Sequence, residues 1–167
     1  MKVRVAKNTD IAGISALLKR CYPILMSKAY APEVLTVALP AMIEANPQLI
    51  STGRFYIVEQ EQAVIGCGGW SFDTPGTGVV IDGIAHIRHF AVDPEHGRNG
   101  IGQAIFRRCS EAAFAADAKK FQAFSSLNAE PFYQRMGLNR VKLINVQMGQ
   151  EIEFPVVFME GALRSGS

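Results

Sequence analysis

The sequence has none of the long apolar segments that membrane proteins need. No apolar stretch approaches the ~18 residues of a membrane-spanning helix, and the first residues, MKVRVAKNTD, contain no apolar signal segment. Cysteine is also scarce: Cys21, Cys67 and Cys109 are odd in number and widely spaced, which predicts reduced, buried thiols and no disulfide framework. We therefore expect a cytoplasmic protein with no membrane partner.

Charge and metal-ligand patterns are equally sparse. The formal net charge is +2, and there is no long run of Lys and Arg, which argues against a nucleic-acid partner. The cysteines form no CxxC pair or other ligand spacing, so no metal site is expected. The 167 residues are 49% apolar and 19% charged, which is enough for a core and predicts one domain over residues 1–167, with its last few residues disordered.

What the sequence does contain is a regular succession of apolar patterns. They predict the order βααβββαβαββ, an α+β or mixed sheet with helices on both faces in α/β-type layers. Residues 84–124 predict one parallel crossover, Pro40 predicts a break in the second helix, and Gly149-Gln150 predicts the last turn. The predicted strands are 2–6, 54–60, 63–72, 82–92, 120–126, 140–148 and 151–160, and the predicted helices are 8–22, 32–46, 98–117 and 129–137.

Glycines are concentrated where the third helix should begin, in HGRNGIGQAIF (96–106). Glycine destabilises a helix by roughly 0.5–1 kcal/mol relative to alanine, so Gly97, Gly100 and Gly102 need an explanation. They either shape a turn that packs closely on a strand, or they clear the backbone N–H groups of the helix start for a phosphate. The stretch lacks the Lys-Ser/Thr pair of a P-loop and the third glycine of a dinucleotide fingerprint.

The longer stretch IRHFAVDPEHGRNGIGQAIFRRC (87–109) resembles motif A of the GCN5-related N-acetyltransferases (GNAT). In that family a bulged strand precedes a [Q/R]xxGx[G/A] turn, which binds the pyrophosphate of acetyl-CoA. Gly100-Ile101-Gly102 matches the glycine half of the turn, but Gly97 stands where the family has Gln or Arg. The resemblance therefore implies a site made mainly of backbone N–H groups, where Arg98 either contacts a phosphate or faces solvent.

A second stretch, NAEPFYQRMGLNR (128–140), is similar to motif B of the same family, N-x-x-A-x-x-F-Y-x-x-x-G-F, with proline in place of the alanine. The two motifs together span residues 82–140. The resemblance implies the GNAT fold, a central mixed, mostly antiparallel twisted sheet of about seven strands with helices on both faces. The residues on the second pattern are Asn128, Phe132, Tyr133, Gly137 and Leu138.

The resemblance also implies an activity, that of an acetyl-CoA-dependent N-acetyltransferase (an acyltransferase of the EC 2.3.1 type). The acetyl group would move to a primary amine by direct attack in a ternary complex, without a metal. Tyr133 would be the general acid for the coenzyme A thiolate, and the Val92 amide would bind the acetyl oxygen. The implied residues of the acetyl-CoA site are Phe90, Ala91, Val92, Arg98, Asn99, Gly100, Ile101, Gly102, Gln103, Asn128 and Phe132.

The sequence leaves the identity of the general base open. His86 lies four residues before Phe90, where some GNAT enzymes have a glutamate, so it is a candidate base or water-orienting residue, with His89, Asp82 and Glu33 behind it. Strand alternation places 86, 88 and 90 on one face and 87, 89 and 91 on the other, so the two histidines should not share a metal site. Ordered water as the base, or a purely structural His86, are the alternatives.

The acceptor is an amine on a small molecule or a peptide, and the resemblance places it between the first two helices and the strands beside acetyl-CoA. Tyr30 and Trp70, with Tyr22 and Phe72, are candidates for the wall of that pocket. Because family members often dimerise through their C-terminal strands, a homodimer is compatible with the sequence. Two alternatives are a non-catalytic acyl-CoA-binding or sensor domain of the same fold and a plain phosphate- or nucleotide-binding α/β protein.

Overall fold

The computed structural model describes residues 1–148 and 152–165, so the turn predicted at Gly149-Gln150 lies outside the described residues. Seven strands and five α-helices follow one another, with short 3-10 turns between some of them. The strands are β1 (Val3–Val5), β2 (Phe55–Gln60), β3 (Ala63–Ser71), β4 (Ile84–Val92), β5 (Lys120–Ser126), β6 (Asn139–Met148) and β7 (Ile152–Ala162). The helices are α1 (Ile11–Met26), α2 (Pro32–Ala38), α3 (Pro47–Ser51), α4 (Ile101–Ala115) and α5 (Glu130–Arg135).

The strands form a single mixed sheet in the order β1-β2-β3-β4-β5-β7-β6. Every neighbouring pair is antiparallel except β4 and β5, which are parallel and are joined by α4. Such a pair needs a crossover helix, and α4 supplies it. The α+β class, the seven-stranded sheet and the parallel unit are therefore confirmed.

Apolar residues pack on both faces of the sheet. One cluster joins α1, α2 and α3 to the sheet through residues such as Leu17 and Ile57. The other joins α4 and α5 to the opposite face through residues such as Ile105 and Phe121. The sheet therefore lies between two apolar layers.

The region between the second helix and β2 differs from the sequence prediction. α2 ends at Ala38, and Leu39–Ala41 is a 3-10 turn, as a break at Pro40 predicts. The third helix, Pro47–Ser51, was not predicted, because five residues are too few to show a helical period. The signal was at its start: the Asn46 side chain accepts hydrogen bonds from the N–H groups of Gln48 and Leu49, and proline holds the first helical position.

β4 contains a β-bulge that changes the predicted pattern of its side chains. Cys67 pairs with Ala91 and Gly69 pairs with Arg88, so His89 and Phe90 together lie opposite one residue of β3. His89 has a left-handed φ of 51°. The bulge reverses the alternation, so Phe90 packs in the same cluster as Ile87, on the α4 face. The prediction that residues 86, 88 and 90 share one face is therefore wrong for Phe90.

Candidate functional site

A cavity of about 370 Å³ opens where β4 and β5 separate. The two strands pair only from Ile84 with Lys120 to His86 with Gln122 within the described residues, and beyond that point they diverge. The bulge bends β4 at the start of this divergence. Both strand ends line the cavity, which is closed by α1 and the 3-10 turn after α2 on one side and by α5 on the other.

The turn before α4 carries a row of unpaired backbone donors. Within the described chain, none of the N–H groups from Arg98 to Gln103 donates to a protein acceptor, and the first helical bond there runs from Ala104 N to Gly100 O. Gly100 caps the helix with a left-handed φ of 76°, and a Cβ at this position would have open space around it. Several N–H groups at a helix start with no atoms in front of them form a binding site for an anion.

The end of β4, which is not paired with β5, has one more N–H donor close to this turn. Asp93 N donates to Ile65 O at 2.9 Å, and Gly66 is paired with Val92. Because the N–H groups of an antiparallel strand alternate in direction, the Val92 N–H points away from β3, toward the gap between β4 and β5. Val92 lines the cavity.

Tyr133 lines the same cavity from α5. Its ring packs against Phe132, Phe90 and Phe106, with centroid distances of 5.2, 6.1 and 6.5 Å. Its hydroxyl has no hydrogen-bond partner among the described residues, and burial raises the pKa of the phenol well above its usual value. The group therefore stays protonated and its donor is free for a ligand.

The motif residues that lie far apart in the sequence meet at this cavity. Asn128 and Phe132 line it together with Phe90 and Ala91, and the Asn128 Oδ1 atom is buried without a partner. A Cβ at Gly102 would lie 2.9 Å from the Phe132 ring, so the small residue lets α4 and α5 approach closely. The structure thus brings the glycine turn, the end of β4 and Tyr133 to one place.

The two histidines of β4 have different surroundings. His86 is buried and does not line the cavity; its Nε2 atom lies 3.2 Å from Thr74 Oγ1, and its Nδ1 atom has no partner among the described residues. Burial, followed by the charge of Arg88, lowers the pKa of His86. His89 does line the cavity, and no hydrogen bond to its ring is found among the described residues. Burial and then Arg88 lower the pKa of His89 to about 4.

This pKa shift predicts an acid-dependent loss of stability that is specific to His89. The folded pKa, about 4, lies below the ordinary value of 6.5, so the stabilising contribution is present above pH 6.5 and is lost as the pH falls toward 4. We expect His89→Asn, which tolerates a left-handed φ, to remove about 2 kcal/mol of the decrease in unfolding free energy between pH 7 and pH 5. Urea unfolding of both proteins at the two pH values measures it, and equal decreases would contradict the assignment.

Of the aromatic residues predicted for the acceptor pocket, only Tyr22 lines the cavity. Tyr30 is buried beside it, where its hydroxyl donates to Pro155 O at 2.7 Å and accepts from Leu127 N at 2.9 Å. Trp70 lies on the α4 face of β3, with Arg54 over its ring and Phe72 at its edge. Tyr30 and Trp70 therefore pack inside the fold and do not line the cavity.

The cavity also has lining residues that the sequence did not single out. Leu25 and Met26 of α1, Ala41 and Met42 after α2, and Phe124 of β5 line it. Their only signal was the apolar period of the helices, which does not distinguish a core residue from a cavity wall. Among the described residues, no group of three or more His, Cys, Asp or Glu could hold a metal ion, and no described helix has the length and apolarity to cross a bilayer.

Comparison with solved structures shows the same architecture elsewhere. A GCN5-related N-acetyltransferase from Rhodopseudomonas palustris superposes with a TM-score of 0.78 at 17% identity, covering 97% of this chain and 95% of that chain. The PaiA N-acetyltransferase from Thermoplasma acidophilum, in complex with coenzyme A, gives 0.71 at 13% identity, covering 96% and 98%. The ribosomal-protein-S18-alanine N-acetyltransferase from Escherichia coli gives 0.64 at 12% identity, covering 99% and 96%. At these identities the likeness shows a shared fold.

Sequence comparison gives the family. No curated protein sequence matches the chain. The family model described as "Acetyltransferase (GNAT) domain" matches residues 51–138, which is more than half of the chain and includes both the glycine turn and Tyr133. The protein therefore belongs to the GNAT acetyltransferase family.

Proposed function

We propose that this protein transfers the acetyl group of acetyl-CoA to a primary amine by direct attack in a ternary complex, with Tyr133 as the general acid. The observation that carries the proposal is the single cavity between β4 and β5. One end of this cavity adjoins the unpaired N–H groups before α4, and its wall includes both Val92 and Tyr133. An anion site, an amide donor and a proton donor in one place are what thioester aminolysis needs.

The residues present fit acetyl-CoA. The N–H groups from Arg98 to Gln103 are suited to the pyrophosphate, and the exposed Arg98 side chain, which has no partner among the described residues, can add a charge to the same contact. The buried Asn128 Oδ1 atom can accept an N–H from an amide of the pantetheine arm. When bound, acetyl-CoA supplies a thioester whose carbonyl carbon is open to attack by an amine.

Two groups of the chain then act on the reacting atoms. The Val92 N–H donates to the thioester oxygen, where negative charge develops during attack, and a donor of this kind contributes about 2.7–4 kcal/mol in other acyl-transfer enzymes. The Tyr133 hydroxyl donates its proton to the sulfur as the carbon–sulfur bond breaks, and the proton that the attacking nitrogen loses as it becomes an amide returns Tyr133 to the phenol. Burial raises the pKa of the Tyr133 phenol, and it also raises the pKa of the leaving thiol because it disfavours the thiolate. The two proton affinities therefore stay close to each other.

The amine itself has to lose a proton before it attacks. Among the described residues no Asp or Glu side chain lines the cavity, His86 lies outside it, and the lowered pKa of His89, about 4, makes its imidazole a weak base, so we assign this proton to water. Desolvation in the cavity lowers the pKa of the bound amine and favours its neutral form. His86, whose Nε2 atom contacts Thr74 Oγ1, then has a structural role in β4.

The glycine turn gives a direct test of acetyl-CoA binding with a matched control. Gly100→Ala puts a methyl group in front of the unpaired N–H groups from Arg98 to Gln103. Gly53→Ala is the control, because it makes the same change in the turn before β2. Both glycines have a left-handed φ, 76° and 78°, and open space at Cβ. Each should cost about 1–2 kcal/mol of stability. Only Gly100→Ala should weaken acetyl-CoA binding, by at least ~10-fold in calorimetry.

Equal affinities for the two variants would contradict a phosphate site at this turn. If the wild-type protein binds ATP or NAD as tightly as acetyl-CoA, the plain nucleotide-binding alternative gains support. A protein that binds acetyl-CoA but releases no thiol with any amine would instead be a sensor domain.

A further inference from the structure

The cavity has two halves that differ in chemistry. Gly102, Val92 and Asn128 lie toward the turn before α4, where a phosphate-bearing ligand would enter. The opposite half, which we call the acceptor half, lies against α1 and the 3-10 turn after α2. It is lined by Tyr22, Leu25, Met26, Ala41, Met42 and His89.

No Asp, Glu, Lys or Arg side chain lines the cavity in the part of the chain that the structure describes. Two arginines on the elements that line it are paired elsewhere. Arg20 of α1 contacts Asp93 at 2.9 Å, and Arg88 of β4 donates to Ser71 Oγ at 2.9 Å and lies 3.4 Å from Asp73. A ligand in the acceptor half therefore meets no opposite charge.

This lack of charge restricts the acceptor. Moving an ionised group from water into an apolar site costs a large free energy unless a counter-charge or several hydrogen bonds replace the water. A diamine or an amino acid would carry its second charge into contact with Leu25 and Met42, whereas an alkyl or aryl group would gain by burial there. The reacting amine has to lose its proton in every substrate alike, so the cost of that step does not discriminate among acceptors.

Of the two polar side chains of the acceptor half, Tyr22 has a hydrogen-bond partner and His89 has none among the described residues. The Tyr22 hydroxyl donates to Phe90 O at 3.0 Å, and the Ser125 hydroxyl at the neighbouring strand donates to Ser126 O at 2.8 Å. The His89 ring has no such bond among the described residues. The bulge that holds this residue at a left-handed φ also puts it where the two strands part.

We propose that the acceptor is a primary amine on an apolar group without a second charge, and that the imidazole of His89 accepts a hydrogen bond from its nitrogen. This inference rests on the proposed function, since it names the substrate class of the same site. The pKa of His89, lowered by burial to about 4, is consistent with an imidazole that stays neutral and offers a lone pair at pH 7.

The expectation that a second charge on the acceptor is disfavoured can be tested with three amines that share a six-carbon chain: hexylamine, hexamethylenediamine and ε-aminocaproate. Thiol release from acetyl-CoA is measured at one pH for each. We expect kcat/KM for hexylamine to exceed that for the other two by about 100-fold or more, since a buried charge opposes both. A diamine or amino acid that is acetylated as well as hexylamine would overturn the proposal.

A carboxylate introduced into the acceptor half should have the opposite effect and favour an acceptor with a second positive charge. Met42→Glu should raise the kcat/KM of hexamethylenediamine relative to hexylamine by at least ~10-fold, because the carboxylate can pair with the distal ammonium. Met42→Gln, which has nearly the same shape and no charge, is the matched control and should leave the ratio unchanged. Equal ratios in the two variants would show that the acceptor does not reach Met42.

The role of His89 is tested by separating amine binding from acetyl-CoA binding. His89→Gly keeps the left-handed backbone and should raise the KM for hexylamine by about 10-fold, with the acetyl-CoA Kd within twofold of wild type. His89→Asn, whose side-chain oxygen can also accept a hydrogen bond, should restore part of the loss. An unchanged KM in His89→Gly would remove His89 from the acceptor site.

Failure of this inference differs from failure of the proposed function. If calorimetry detects no acetyl-CoA binding, the acetyltransferase proposal fails. If acetyl-CoA binds and a charged amine is the better acceptor, or hexylamine is neither bound nor acetylated, the acceptor class is wrong while the donor site stands.

Discussion

Replacement of Tyr133 by phenylalanine is expected to lower kcat for acetyl transfer by about 10²–10⁴-fold, the usual contribution of a positioned general acid. The change removes one hydroxyl that has no partner among the described residues, and the aromatic packing with Phe90, Phe106 and Phe132 is retained. Thermal stability and the acetyl-CoA Kd should therefore stay near the wild-type values. Stopped-flow thiol release and calorimetry on the same preparation separate the two quantities.

Tyr22→Phe is the matched control for this experiment. Tyr22 lines the same cavity, but its hydroxyl is engaged by Phe90 O at 3.0 Å and is not free to protonate a thiolate. Its removal should cost about 0.5–1.5 kcal/mol of stability through the lost hydrogen bond, and it should reduce kcat by less than about 10-fold. If Tyr133→Phe and Tyr22→Phe have the same kcat, the proton comes from water and the assignment of Tyr133 is wrong.

The largest loss of stability is expected from Gly161→Ala, far from the cavity. A Cβ on this β7 residue would lie 2.5 Å from Gly137 O and 3.2 Å from Leu138 Cα, both of them backbone atoms at the end of α5. No side-chain rotation relieves such a contact, so α5 would have to move off β7. We expect the unfolding free energy to fall by about 3–5 kcal/mol and Tm to fall by roughly 6–20 °C.

Gly97→Ala controls for the loss of glycine itself. Its φ is −62°, and a Cβ there would lie 3.4 Å from Pro94 O, an ordinary contact. Its unfolding free energy should stay within about 0.5 kcal/mol of wild type in guanidinium unfolding. A Gly161→Ala protein as stable as Gly97→Ala would mean that the backbones of α5 and β7 are not in contact in solution.

The sequence was sufficient for the order of the elements, apart from the short helix α3, and for the parallel unit around α4. Apolar alternation and the glycines before Ile101 are local signals, and the structure places strands and a helix start where they predict them. The bulge in β4 was not predicted residue by residue. Nothing in IRHFAV shows which residue is the extra one, because that choice depends on pairing with β3, and the faces assigned to 86–91 changed as a result.

The donor and acceptor sides of the candidate site differ in how far the sequence could describe them. Gly100, Asn128 and Tyr133 stand at fixed spacings in two motifs, so they could be named before the fold was known. The proposed acceptor side is formed mostly by apolar residues from α1 and the turn after α2, and a buried methionine looks the same in a core and in a cavity wall. Tyr30 and Trp70 were named as aromatic residues of the segments where the resemblance places the acceptor, and each proved to have partners of its own inside the fold.

The bulge at His89 also bears on how this sheet tolerates insertion and deletion. The pairings on either side of it, Gly69 with Arg88 and Cys67 with Ala91, would fit an unbroken ladder if one residue were removed. A shortened β4 would run straight, and its pairing with β5 could continue past Gln122, where the cavity now opens. We therefore expect a one-residue deletion at the bulge to narrow or close the cleft, and a relative whose sequence has a gap at this position is expected to lack it.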